Sequence, residues 1–366
     1  MRVVLLTSTR SWRGSGTSYA KLARGLRERG HTAHLVTRAR KLTTRLAQEG
    51  LEVSEIAGRD AGPAAALALW RLLRRLRAQA ILADTPYDVR IAAYATLLHS
   101  ARIVYRYNLG RAGPGRRRTD RLYLSRVAAC VYQSEFIHDD AVARARWMDR
   151  IPSYHIPNGY DTGRFAPRAE AGRAFRDRYQ ILPNARMVLS AAKLTRNKGH
   201  EVAIAALNLV RRAGTEVVYV LCGDGTREAE LGRLARAYEL PTVFTGLLGT
   251  EGMIAAYSAA DVVVHPSLRE IFPNVVGEAM ACGRAVIAAD AGGTGELLGR
   301  DGSTGVLVPP GDPDALADAV RQLLADPARL AAIGASARRR IEEVFPVRRM
   351  VDGYATALAE VVGRSR

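Results

Sequence analysis

Cysteine is scarce in this chain, with three residues (Cys130, Cys222 and Cys282) in 366. They are scattered, odd in number and form no C-x-x-C pair. That excludes a disulfide framework and reads as reduced core thiols of a cytoplasmic protein. Aromatic residues make up 6%, too few for the stacking platforms of single-stranded nucleic acid, so no nucleic-acid partner is expected. No apolar run approaches 18 residues, so no spanning helix is expected. Val3 to Leu6 is too short for a signal-peptide core and reads as a first strand. There is no D-x-D and no metal-ligand spacing of His and Cys, so no metal and no cofactor is expected.

Acid is short in one half only. Residues 1–165 hold 29 Lys+Arg against 13 Asp+Glu, and the remainder 25 against 23, so the first half carries +16 of the net +18. A basic half suits a polyanionic partner or an anionic membrane surface. Solvated arginines are the plainer alternative. The stretch Pro114 to Arg121 (PGRRRTDR) is the densest part of this charge.

What is present is a repeated alternation of apolar strands and amphipathic helices in a chain long enough for two domains. Residues 2–7 (RVVLLT) predict a strand, Ser8 to Thr17 a loop with Gly14 and Gly16, and Ser18 to Arg29 a helix stopped by Gly30. A strand follows at Ala33 to Thr37, a helix at Ala64 to Arg77, and strands at Ala80 to Ala83 and Ile103 to Tyr105. The Gly14–Gly16 loop precedes a helix N-terminus, where amides can meet phosphate, but it lacks dinucleotide-binding spacing. Later strands are expected at Met187 to Ala191, Val217 to Leu221 and Val243 to Leu248.

The most informative stretch is Asp261 to Asp290, DVVVHPSLREIFPNVVGEAMACGRAVIAAD. A strand at Val262 to Val264 breaks at His265-Pro266-Ser267. Pro273 fits a first helical turn, the helix runs to about Cys282, and Gly283 sits at its C-cap. Residues 285–289 return as a strand, completing a βαβ unit whose ligands belong off the carboxyl ends of the strands. Glu270 in the loop and Glu278 in the helix can face one ligand from different heights. Each carboxylate suits a vicinal diol, and the amides of Phe272 to Asn274 suit hydroxyls or an anion. Two solvated acids at a helix start remain the alternative on these residues alone.

Pro266-Ser267, Glu270, Phe272 and Glu278-Ala279-Met280-Ala281-Cys282-Gly283 resemble the E-x7-E donor signature of the GT4 family, retaining glycosyltransferases of the GT-B fold. The match departs at Ile271, where the family commonly has Gly, and at Arg284-Ala285, where a Pro is usual. Arg29-Gly30-His31, Pro157-Asn158-Gly159 with Asp161 and Phe165, Lys198-Gly199 and Gly292-Gly293 with Glu296 extend it along most of the chain.

The resemblance implies an α/β architecture of two Rossmann-like, doubly wound domains facing a cleft. An acceptor domain would span 1–165, a donor domain 166–345, and residues 346–366 would form a helix crossing back to the first. It implies transfer of a hexose-type sugar, with retention, from a nucleotide-diphosphate sugar to a saccharide or lipid-linked acceptor in surface polysaccharide assembly. The enzyme would work in the cytoplasm or peripherally at the inner face of a membrane. Glu278 would hold the ribose, Glu270 with Phe272, Pro273 and Asn274 the sugar, and Lys193 and Lys198 the diphosphate. Lys193 stands where the family has Arg, keeping charge without the bidentate fork. Gly14, Gly16 and Gly223 would line the donor. Arg106 and Asn108 would position the acceptor, Asn108 standing where many members have His. A soluble secondary-metabolite acceptor, a sugar-nucleotide epimerase and a non-catalytic binding module are the rival readings.

Overall fold

The computed structural model describes residues 1–9, 15–56, 62–107 and 122–364. The chain divides into two compact units, Met1–Gly159 with Val347–Arg366, and Tyr160–Pro346. Strands buried on both faces of a parallel sheet are largely apolar, and the central strands of both units are of this kind.

In the first unit the strands are β1 (Arg2–Thr7), β2 (Thr32–Thr37), β3 (Val53–Glu55), β4 (Ala80–Ala83), β5 (Arg102–Arg106), β6 (Val127–Tyr132) and β7 (Ser153–His155). They pair, all parallel, in the order β3-β2-β1-β4-β5-β6-β7. The second unit has β8 (Arg186–Ala191), β9 (Val217–Cys222), β10 (Thr242–Gly246), β11 (Val262–His265), β12 (Val286–Ala289) and β13 (Val306–Val308). Their order is β10-β9-β8-β11-β12-β13, again parallel. In each sheet the winding reverses once, between β1 and β4 and between β8 and β11. Doubly wound sheets bind ligands outside the carboxyl ends of strands at such points.

Helix starts carry their own chemistry. Thr85 and Asp88 form a capping box on the helix Pro86–Ala95. The carboxylates of Asp312 and Asp326 accept from Ala315 N and Arg329 N, at 3.0 and 2.9 Å, to cap Pro313–Ala325 and Pro327–Val344. The last helix, Val347–Gly363, puts Met350, Val351, Tyr354, Leu358 and Val361 into the core of the first unit. It lies so close to the helix Ser15–Glu28 that a Cβ on Gly25 would stand 2.4 Å from Val351 Cγ2. All three cysteines are buried and unpaired. Among the described residues no helix is long and apolar enough to cross a membrane.

Four expectations shift. The helix after β1 begins at Ser15, so Gly16 lies in its first turn rather than in the loop. Pro273 sits at the N-cap, one residue before the helix Asn274–Ala281. β10 ends at Gly246, where a φ of +67° turns the chain out of the sheet. The edge strands β3 and β7, three residues each, had no apolar run to announce them.

Candidate functional site

The second unit's reversal point is built by glycines that let backbones meet. A Cβ on Gly199, which has φ +64°, would fall 2.0 Å from the Pro266 carbonyl oxygen. One on Gly292, with φ +62°, would fall 1.9 Å from the carbonyl oxygen of Glu270. Only glycine tolerates both the conformation and the approach. Hydrogen bonds join the same loops: Leu268 N and Ser267 Oγ donate to Asn197 O at 2.9 and 3.1 Å, and Gly293 N donates to Ile271 O at 3.1 Å. Gly223 does the equivalent work between β8, β9 and β10, donating to Gly246 O at 2.9 Å and facing the Ala192 carbonyl with no room for a side chain. Its role is packing of the loop.

These contacts bring the loop after β8 against the loop after β11, and with it Lys198 against Glu270. Lys198 Nζ donates to Glu270 Oε1 at 2.5 Å, and His265 Nε2 donates to the same oxygen at 2.8 Å. Oε2 has no hydrogen-bond partner among the described residues. Burial pushes the Glu270 carboxyl up, but His265 and Lys198 outweigh it and hold the pKa down at about 2. A fixed carboxylate with one bound and one open oxygen results. His265 is 3% exposed. In the sequence it marks only the end of β11, because nothing in a strand-end His says that it will turn toward a glutamate five residues on.

Lys193 is exposed, and its ammonium has no ion pair among the described residues. Its backbone is held from beneath. His200 Nε2 donates to the Lys193 carbonyl at 3.3 Å, and Tyr219 Oη reaches His200 Nδ1 at 3.4 Å. Burial lowers the His200 pKa to about 4, so the ring is neutral in this role.

Glu278 sits in the second turn of the helix Asn274–Ala281, half-buried, and its Oε2 accepts from Tyr257 Oη at 3.4 Å. It is outside the Lys198–Glu270–His265 trio. Burial first, and then the charge of Glu278, raise the pKa of both Tyr257 and Tyr160. Tyr160 lies across the same helix: a Cβ on Gly277 would stand 2.1 Å from its Cζ. Phe272 is 5% exposed and its ring packs edge-on against Phe345 at 5.5 Å, so its side chain anchors the loop in the core. Pro273 has no N–H and gives no donor. Ile271 keeps φ negative, so the loop closes without the usual glycine. Asn274 opens the helix, half-buried.

In the first unit Arg106 is 3% exposed. It donates to Asp84 Oδ1 at 3.3 Å and Asn158 Oδ1 at 3.1 Å, while Asp84 Oδ2 accepts from Thr7 Oγ1 at 3.0 Å. The expected acceptor contact therefore becomes an internal one: Arg106 ties the ends of β1, β4 and β5 to the segment carrying Asn158. Gly14, Asn108 and the basic stretch 114–121 lie outside the described residues.

Residues 12–164 match the model of Glycosyltransferase Family 4, and residues 173–340 that of Glycosyl transferases group 1. A Mycolicibacterium smegmatis GDP-mannose-dependent phosphatidylinositol monomannoside mannosyltransferase is 36% identical over 193 residues, 50% of each chain. A Streptomyces kanamyceticus alpha-D-kanosaminyltransferase is 35% identical over 161 residues, 43% of this chain and 41% of that one. The chain thus spans about half the length of the curated relatives it matches. The Anabaena protein HepE, solved with UDP and glucose, superimposes with a TM-score of 0.86 at 21% identity, covering 98% of this chain and 100% of that one. A Thermosynechococcus elongatus sucrose-phosphate synthase gives 0.81 at 23%, with both chains fully covered. The fold is GT-B. With one family model on each half and the fold shared end to end, the chain belongs to the GT4-type glycosyltransferases.

Proposed function

We propose that this protein is a retaining glycosyltransferase that moves a hexose-type sugar from a nucleotide-diphosphate sugar to a saccharide or lipid-linked acceptor. The observation that carries the reading is the meeting of Lys198 with Glu270 at the reversal point of the second sheet. In this reading Glu278 accepts from the ribose diol and Glu270 Oε2 from the sugar hydroxyls, helped by the amides of Phe272 and Asn274. Lys193 and Lys198 face the diphosphate, where charge grows as the glycosidic bond breaks. Cations held there stabilise the transition state more than the ground state. They take the place of a metal.

Retention follows front-face attack. The anomeric carbon–phosphate oxygen bond breaks, the acceptor oxygen bonds the same face, and the acceptor proton passes to the departing phosphate. The relatives named for mannosyl transfer to a phosphatidylinositol glycolipid favour a lipid-linked acceptor and peripheral contact with an anionic membrane from the basic half. The kanosaminyltransferase relative carries no lipid in its name, which keeps a soluble acceptor as the second reading.

Thermal shift against UDP, GDP, ADP and CMP, on wild type and Glu278→Ala, tests the donor site. One diphosphate should stabilise the wild type selectively. Loss of the charged hydrogen bond should weaken that binding by roughly 1.5–3 kcal/mol. Equal shifts in the two proteins would remove Glu278 from the site, and no shift with any nucleotide would favour a binding module without donor chemistry.

A further inference from the structure

At the opposite ends of the first unit's strands, where β1, β4 and β5 begin, a groove of about 770 Å³ is lined by Arg2, Arg74, Arg77, Arg102, Arg364 and His99. Among the described residues no carboxylate lines it. Part of this charge has local work. Arg74 and Arg77 stand at the C-terminal end of the helix Pro63–Leu76, where cations complement the dipole. Arg2 Nε donates to Arg77 O and Arg102 Nη2 to Arg364 O, both at 2.7 Å. Arg364 lies 3.6 Å from Glu360. A helix end offsets only about half a charge, however. Arg2, Arg74, Arg77 and Arg102 have no ion pair among the described residues. Several guanidinium groups therefore share one concavity, repelling one another, with donors to spare.

Planar guanidinium forks match phosphate oxygens two at a time, and several forks in one groove match several phosphates. We propose that this groove binds a ligand with clustered phosphoryl groups, at a site separate from the nucleotide-sugar site. Such groups reach a protein either on a small soluble molecule or as the headgroups of an anionic lipid surface. Leu98 belongs to the groove wall and is 80% exposed, with Leu97 beside it 62% exposed. That apolar lip is what a lipid surface would use and a soluble phosphate would not.

The test uses the full chain with two probes at low and high salt: inorganic pyrophosphate by calorimetry, and phosphatidylglycerol–phosphatidylcholine vesicles by sedimentation. Wild type is compared with Arg74→Gln/Arg77→Gln, with Arg2→Gln/Arg102→Gln as a second pair, and with Lys198→Ala to separate the groove from the donor site. The expected result, read in the Lys198→Ala background so that the donor site takes no part, is binding of at least one probe that salt weakens and that each arginine pair lowers about ten-fold or more. Circular dichroism should be unaltered. Pyrophosphate binding would assign the soluble source; vesicle binding alone, weakened further by Leu98→Ser, would assign the headgroup. Binding that survives both arginine pairs, binding lost in Lys198→Ala, or no binding of either probe would overturn the proposal.

Discussion

At the scale of single residues, the chemistry of the candidate site turns on how Glu270 is held. Lys198 and His265 share its Oε1. If Lys198 turns toward a bound diphosphate, His265 is the group left to keep the carboxylate aimed. His265→Ala should therefore lower kcat by roughly 10–100-fold, the scale on which small misplacements of a reacting group act. Nucleotide affinity should change little, because in the proposed reading the nucleotide meets Glu278 and the lysines rather than His265. His265→Gln, which restores a donor, should recover part of the loss. Steady-state kinetics with nucleotide titration separate this from general destabilisation: an equal fall in nucleotide binding and turnover in both variants would mean that His265 only supports the fold.

Elements bring these residues together, and one titratable group under the β8 loop should report on that assembly. His200 starts the helix His200–Arg212 and supports the Lys193 backbone as a neutral ring. Burial lowers its pKa from 6.5 to about 4. Between those values the unfolded chain binds a proton that the folded ring refuses, so stability is present above pH 6.5 and declines as pH falls toward 4. The linkage slope is about 1.4 kcal/mol per unit for one such group. Urea unfolding at pH 7, 5.5 and 4.5 should show it, and His200→Gln should flatten it; the same slope in the variant would assign it elsewhere.

The sequence showed these elements unevenly, for physical reasons. β1, β8, β9 and β11 each hold an unbroken apolar run of three to six residues, and the strand–loop–helix around Glu270 and Glu278 is readable from pattern alone. β3 and β7, with the sequences VSE and SYH, carry no such run. The charged helix Arg40–Gln48 hid for the same reason. The Arg106 network joins side chains 22 and 52 positions apart. Long-range pairing of that kind leaves no mark on local pattern, which is why Arg106 read as a substrate contact.

At the scale of the whole molecule, the first unit is made from two separate pieces of chain. The second unit leaves and re-enters side by side: Tyr160 N donates to Phe345 O at 2.9 Å, and Tyr160 bridges Pro346. On the first-unit side of that crossing, Gly159 N reaches Met350 Sδ at 3.2 Å, the first contact of a helix whose apolar face is then buried to Val361. Met350, Val351, Tyr354, Leu358 and Val361 each contribute on the order of 1.5–3 kcal/mol of burial. Their sum is comparable to the whole stability of an ordinary domain, 5–15 kcal/mol. A chain ending at Pro346 should therefore lose the cooperative transition of the first unit while the second, Tyr160–Pro346, keeps its own core. Calorimetry of the full chain with a stabilising nucleotide identifies which transition belongs to the second unit. In the truncated chain that transition should persist and still shift with nucleotide. Loss of both transitions would show that the last helix supports the second unit as well, and retention of both would show that the first unit folds without it.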